Sequence, residues 1–282
     1  MFRIASVSFL NARPLIRRFA AEDRDRVVLS GDLPSRLAGL LEAGEADVAL
    51  LPVVELFRGR APGMIPGTGI ACAGAVDSVK LFYRGELEDL NRIVADRGSR
   101  SSVALLRVLL AEVCGTSPGF VEVEPDSGLD LAEGEGALII GDRCLEFERD
   151  RMGGGDLRAW DLGEAWRELT GLPFVFAVWA AAPGLADRVG PAGIDDLTGI
   201  LTRARDPGLA DLDAIVAEAA SEGRPGRGGE ATVAALDYYF RRSLRYELGE
   251  KEMAGLRRFH ELCVQHVIVP AGAGPVLLKG SA

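Results

Sequence analysis

The hydrophobic pattern is strand-like over Phe2 to Ser8 and turns helical from Pro14 to Ala20, with proline in the first turn, where its missing N–H costs nothing. Val27 to Leu29 predicts a short second strand. Asp32 offers a cap, Pro34 fits a first helical turn, and Leu37, Leu40 and Leu41 follow at helical spacing up to Gly44. Asp47 to Leu51 predicts a compact strand that stops at Pro52. This βαβαβ pattern calls for a parallel sheet with its ligand loops at the carboxyl ends of the strands.

Residues 78 to 84 alternate again, with Val79, Leu81 and Tyr83 on one face, and the chain breaks at Gly85-Glu86-Leu87-Glu88. A second α/β set follows. It comprises strands at Arg92 to Ala95, Phe120 to Val123 and Ala137 to Ile140, a helix over Val103 to Val113, and a short helix after Trp160 to Gly163. The apolar run Phe174 to Ala181 is another strand. Beyond residue 185 the pattern is mainly helical, with stripes at Val233, Leu236, Phe240, Leu244 and at Met253, Leu256, His260, Cys263, and a glycine-rich polar connection at 223–229. A continuous second domain would leave those last helices without a sheet to cover. The economical arrangement is an inserted lobe: lobe one from residues 1–85 plus 174–282, lobe two from 86–173, a helical C-terminal tail packed on lobe one, and a ligand cleft between the lobes.

Composition adjusts this picture only slightly. A chain of 282 residues that is 48% hydrophobic can bury a sizeable core. A formal net charge of −10 argues against nucleic acid as a partner, since phosphate binding needs a basic face. No apolar run reaches the roughly 20 residues that span a bilayer, so no membrane partner is expected. The first residues lack a basic-then-apolar leader, and the four cysteines are scattered without a CxxC pair. The cytoplasm is therefore the expected location, with buried thiols rather than disulfides or metal ligands. Oligomeric state is not legible, and a homo-oligomer is compatible with the chain.

Four segments could carry chemistry. In Ser8-Phe9-Leu10-Asn11, at the end of the first strand, Asn11 can either orient a carboxylate or hydroxyl or simply cap the next helix. Ser78, just before a strand, can point its hydroxyl into a cleft or be an ordinary turn serine. No GxSxG elbow accompanies it, so a serine hydrolase is poorly supported. Gly98-Ser99-Arg100-Ser101-Ser102 opens a helix, where free N–H groups, hydroxyls and a guanidinium favour an anion, although Ser99 or Ser101 could equally be plain caps. In Ile140-Gly141-Asp142, Asp142 suits a cap, while Gly141 would let backbone approach a ligand. The two histidines, His260 and His266, lie in the tail and read as packing or surface residues. The three tryptophans read as core.

Taken in order, these segments resemble the chorismate dehydratase family. The matching stretches are Val7 to Asn11 with Pro14-Leu15, Asp47 to Val53, Gly74 to Val79, Gly98 to Ser102, Ile140 to Asp142, Asp161 to Trp166 and Thr170 to Trp179. The resemblance implies a type II periplasmic-binding-protein-like α/β fold. It also implies a lyase of the futalosine route to menaquinone that dehydrates chorismate to 3-[(1-carboxyvinyl)oxy]benzoate without metal or organic cofactor. It places the family's asparagine and serine on Asn11 and Ser78 as catalytic residues. Substrate contacts are then expected from Ser8, Pro52, Val53, Ser99, Arg100, Ser101, Ser102, Gly141 and Asp142. The competing readings are a non-catalytic solute-binding protein for a small carboxylate, which would carry an export signal, and the later naphthoate-forming enzyme of the same pathway, which relies on a histidine. A ligand-sensing regulatory domain would need a helix-turn-helix segment, and none is apparent.

Overall fold

The computed structural model describes residues 1–7, 9–19, 21–96, 98–123, 131–151, 157–222, 230–272 and 274–281. Ser8 and the connection 223–229 lie outside the described residues. In chain order the elements of the first half are β1 (Phe2–Ser6), α1 (Arg13–Ile16), β2 (Val27–Gly31), α2 (Pro34–Glu42), β3 (Val48–Pro52), α3 (Val53–Phe57), β4 (Met64–Cys72), β5 (Val79–Tyr83), β6 (Arg92–Asp96), α4 (Arg100–Leu109), β7 (Gly119–Val123) and β8 (Glu135–Ile140). Then come α5 (Asp142–Arg151), β9 (Arg158–Asp161), α6 (Leu162–Thr170), β10 (Phe174–Ala181), α7 (Leu185–Ala210), α8 (Leu212–Glu222), α9 (Glu230–Tyr238), β11 (Arg245–Leu248) and α10 (Glu250–Gln265).

These strands form two sheets, one per lobe. The first has the order β11-β4-β10-β3-β1-β2 and the second β7-β6-β8-β5-β9. β1 runs parallel to both β2 and β3, as the opening βαβαβ pattern requires, while β10 and β11 are antiparallel to their neighbours. In the second sheet β6 is parallel to β7 and β8, and β5 is antiparallel to β8 and β9. Both faces of β3 are buried, which explains its unbroken apolar run Val48-Ala49-Leu50-Leu51.

Two features differ from expectation. Val79–Tyr83 hydrogen-bonds within the second sheet, so the chain passes between the sheets at 73–78 rather than near residue 85. Alternation reveals a strand but not which sheet it joins, and the Gly85 turn is a connection inside the second lobe. The tail is also not wholly helical. Arg245–Leu248 forms an edge strand against β4, with Tyr246 and Leu248 inward, and it follows a π-helical turn over Tyr239–Ser243.

The passage at 73–78 is held tightly. Asp161, the last residue of β9, is the N-cap of α6, and its carboxylate accepts N–H bonds from Gly163 (2.9 Å) and Glu164 (3.1 Å). The same carboxylate accepts from Val76 (3.0 Å) and Asp77 (2.8 Å) in the passage. Asp77 has φ +62°, and Ser78 N–H returns to Val76 O at 2.7 Å, the bonding pattern of a strained γ-turn. Gly163 lets α6 come this close, since a Cβ there would stand 2.5 Å from Gly74 O. The return passage is anchored by the buried Trp166, whose indole N–H donates to Pro173 O at 3.1 Å.

Asp161→Ala should therefore cost about 2–4 kcal/mol, from the lost cap and the stranded amides. A thermal melt should show Tm lowered by about 4–8 °C for a chain of this size.

Candidate functional site

The carboxyl ends of β1 and β3 open on the same side of the first sheet and face the start of β5, the end of β8 and the start of α4 in the second lobe. Between them lies a cleft of about 690 Å³, counted with its open mouth. Its walls are mostly apolar: Phe9, Leu50, Ile70, Phe176 and Leu244 from the first lobe, with Val79 and Ile140 opposite. A small ring with few polar substituents suits such a lining.

Polar groups enter at a few points. Asn11 sits in a single 3₁₀ turn, Leu10–Ala12, and lines the cleft. It does not cap α1, whose N-cap is Ala12. Its Oδ1 is buried without a hydrogen-bond partner among the described residues. Ser99 is the N-cap of α4 by position but makes no side-chain cap bond, and its Oγ is likewise buried and unpartnered. Leaving buried polar atoms unsatisfied is costly, so both are poised for a ligand that completes them. The first-turn amides of Ser101 and Ser102 belong to the set that no intrahelical carbonyl can satisfy, and the helix dipole adds positive potential there.

Ser78, only 1% exposed, also lines the cleft. It is an ordinary turn serine in neither sense: its backbone closes the γ-turn at Asp77, its carbonyl accepts from Gly141 N at 2.7 Å, and its Oγ accepts a hydrogen bond from Tyr239 at 2.9 Å. Nothing in the sequence pattern marks Tyr239, which reaches Ser78 from the tail across 161 residues of chain. The apolar walls Phe176 and Leu244 were likewise legible only as core positions.

The remaining expected contacts divide. Pro52, Gly141, Arg100, Ser101 and Ser102 line the cleft. Val53 does not; it is fully buried. The Arg100 guanidinium pairs with the buried Glu55 at 3.0 Å, and the same carboxylate also pairs with Arg58 at 2.8 Å, so the three groups together keep a positive charge. Ser101 Oγ accepts from Val54 N at 3.3 Å, so that bond and the Arg100 pair tie α4 to α3 across the cleft floor. Asp142, the first residue of α5, is not among the residues that line the cleft. Its carboxylate instead accepts Leu10 N–H at 3.3 Å, joining the second lobe to the turn that carries Asn11. Burial pushes its pKa up to about 6, against the pull of the Leu10 N–H and Arg13.

Neither histidine reaches the cleft. His260 stacks edge-on against Phe57, with ring centroids 4.9 Å apart, and His266 Nε2 lies 2.6 Å from Glu112. Among the described residues no group of three His, Cys, Asp or Glu side chains could hold a metal ion. Nor, among them, is any helix long and apolar enough to cross a membrane.

Comparison with known proteins agrees with this architecture. Chorismate dehydratase of Thermus thermophilus is 32% identical over 243 residues, covering 81% of this chain and 84% of that protein. Among solved structures, a protein of Archaeoglobus fulgidus superposes with a TM-score of 0.65 at 14% identity, over 95% of this chain and 98% of the other. The periplasmic aliphatic sulphonate binding protein of Escherichia coli gives a TM-score of 0.61 at 16% identity, over 100% of this chain and 94% of the other, and so shares the fold. The model of a family described by menaquinone biosynthesis matches residues 2–265, nearly the whole length, and the chain belongs to that family.

Proposed function

We propose that this chain is a chorismate dehydratase, a lyase that converts chorismate to 3-[(1-carboxyvinyl)oxy]benzoate and water in the futalosine route to menaquinone, acting in the cytoplasm. The observation that carries this reading is that Asn11 and Ser99, whose Oδ1 and Oγ are buried and unsatisfied, line the same largely apolar cleft. The similarity to the Thermus thermophilus enzyme supports it.

The reaction removes the C3 hydrogen and the C4 hydroxyl of chorismate. The C3–H electron pair becomes the third ring double bond, the C4–O bond breaks, and the departing hydroxide takes up a proton as water. Aromatisation supplies the driving force, so the protein's task is to select this elimination and position the reacting groups. Catalysis falls to Asn11 and Ser78. The substrate's enolpyruvyl carboxylate, accepting from the Asn11 amide N–H and the Ser78 hydroxyl, takes the C3 proton and passes it to the leaving hydroxyl. The hydrogen-bonding groups of the cleft, and the absence of a histidine among its described lining residues, support that assignment. The other carboxylate sits at the start of α4, on Ser99 Oγ and the Ser101 and Ser102 amides, in the manner of anions at helix N-termini. The lobes, joined through 73–78 and 171–173, close over the ring.

Purified protein mixed with chorismate should deplete it and release the enol-ether benzoate, followed by liquid chromatography with mass detection. Binding without conversion would instead indicate a solute-binding protein. Asn11→Ala and Ser78→Ala should each lower kcat about a hundredfold or more, and full turnover in both would refute the assignment.

Asp142 gives a pH prediction. With a pKa near 6 it is ionised above that pH and protonated below. The ionised form is the stronger acceptor for Leu10 N–H, so the turn bearing Asn11 is best held above pH 6. kcat/KM measured from pH 4.5 to 8 should fall on the acid side of about 6, and Asp142→Asn should flatten that limb.

A further inference from the structure

The tail enters the site indirectly. At the end of α9 the helix widens into a π turn over Tyr239–Ser243, with Leu244 N–H bonded to Tyr239 O five residues back. Such π turns recur at functional sites. This one directs two hydroxyls, four residues apart, at two consecutive residues of the passage between the sheets: Tyr239 meets Ser78, and Ser243 Oγ donates to Asp77 Oδ2.

Tyr239 is 1% exposed and does not line the cleft. Among the described residues, Ser78 Oγ is the acceptor its hydroxyl meets. A buried hydroxyl proton without an acceptor is costly, so the phenol proton goes to Ser78. That bond occupies one lone pair of the serine oxygen and leaves the serine's own proton free on the cleft side. Burial holds the pKa of Tyr239 far above its ordinary value, so the phenol stays protonated and the direction of donation does not reverse at working pH.

We propose that Tyr239 is a positioning residue for Ser78: by donating to Ser78 Oγ it turns the serine's own proton toward the cleft and makes Ser78 a fixed hydrogen-bond donor to the substrate. Two hydroxyls in series also polarise one another, which strengthens the donor that faces the ligand. The role in turnover rests on the dehydratase reading, whereas the hydrogen bond does not.

Tyr239→Phe keeps the ring and removes only the donor. It should lower kcat roughly tenfold while KM stays within about twofold, because the phenol does not touch substrate. In a Ser78→Ala background the same substitution should have no further effect, since the pair acts as one unit. Wild-type kcat in Tyr239→Phe, or an undiminished tenfold loss in the Ser78→Ala background, would overturn the proposal. The bond is also read without any substrate. In protein carrying isotope-labelled tyrosine, the Tyr239 hydroxyl proton should be protected from exchange with water and should lose that protection in Ser78→Ala. Unchanged exchange would overturn the proposal even if the tyrosine variant failed to fold. Absence of chorismate turnover by the wild type would refute the dehydratase reading alone and leave the hydroxyl measurement to decide the donor bond.

Discussion

The structure depends on one carboxylate doing two jobs. Asp161 caps α6 and, with the same two oxygens, accepts the amides of Val76 and Asp77. Asp77 holds a backbone conformation that a residue with a side chain rarely adopts, and such strain persists only where its surroundings over-determine it. Here the surroundings are α6 on one side, through Asp161, and the tail on the other, through Ser243. Relaxation of the turn would swing Ser78, the next residue, away from Gly141 and Tyr239 together. The rigidity of the site thus comes from where α6 begins, and Gly163 allows the helix to begin there.

Few charged side chains line the cleft. The Arg100 guanidinium shares Glu55 with Arg58, and the Asp142 carboxylate is turned to the Leu10 amide. What remains are hydroxyls, a carboxamide and backbone N–H groups set in apolar walls. In such surroundings fixed dipoles are worth more than in water and need no rearrangement when a ligand arrives. Both tethers also cross between lobes, so the groups that shape the site bear on how the lobes meet.

The opening βαβαβ order, the second α/β set and the interruption of the first sheet were legible because hydrophobic period and turn residues are local signals. The sheet membership of Val79–Tyr83 was not, since strand pairing depends on partners such as Ile140 and Asp161 that are distant in sequence. β11 escaped notice because Leu244, Tyr246 and Leu248 adjoin a helical stripe and only their contact with β4 makes them a strand. Asn11, Ser78 and the Ser99 to Ser102 loop could be singled out from residue type and position, which is how loops after strands and before helices declare themselves. Tyr239 could not, because one tyrosine in an amphipathic helix looks like core. Asp142 was legible as a polar residue at a strand end, but its bond to Leu10 required the folded lobes.

The sharing of Glu55 between Arg58 and Arg100 also bears on how a ligand is captured. A formal net charge of −10 disfavours an anion at long range, whereas two guanidiniums on one buried carboxylate leave positive charge at the start of α4 that acts at short range. Added salt screens the far field over roughly 10 Å and leaves the buried pairs and dipoles of the site intact, so the two contributions separate with ionic strength.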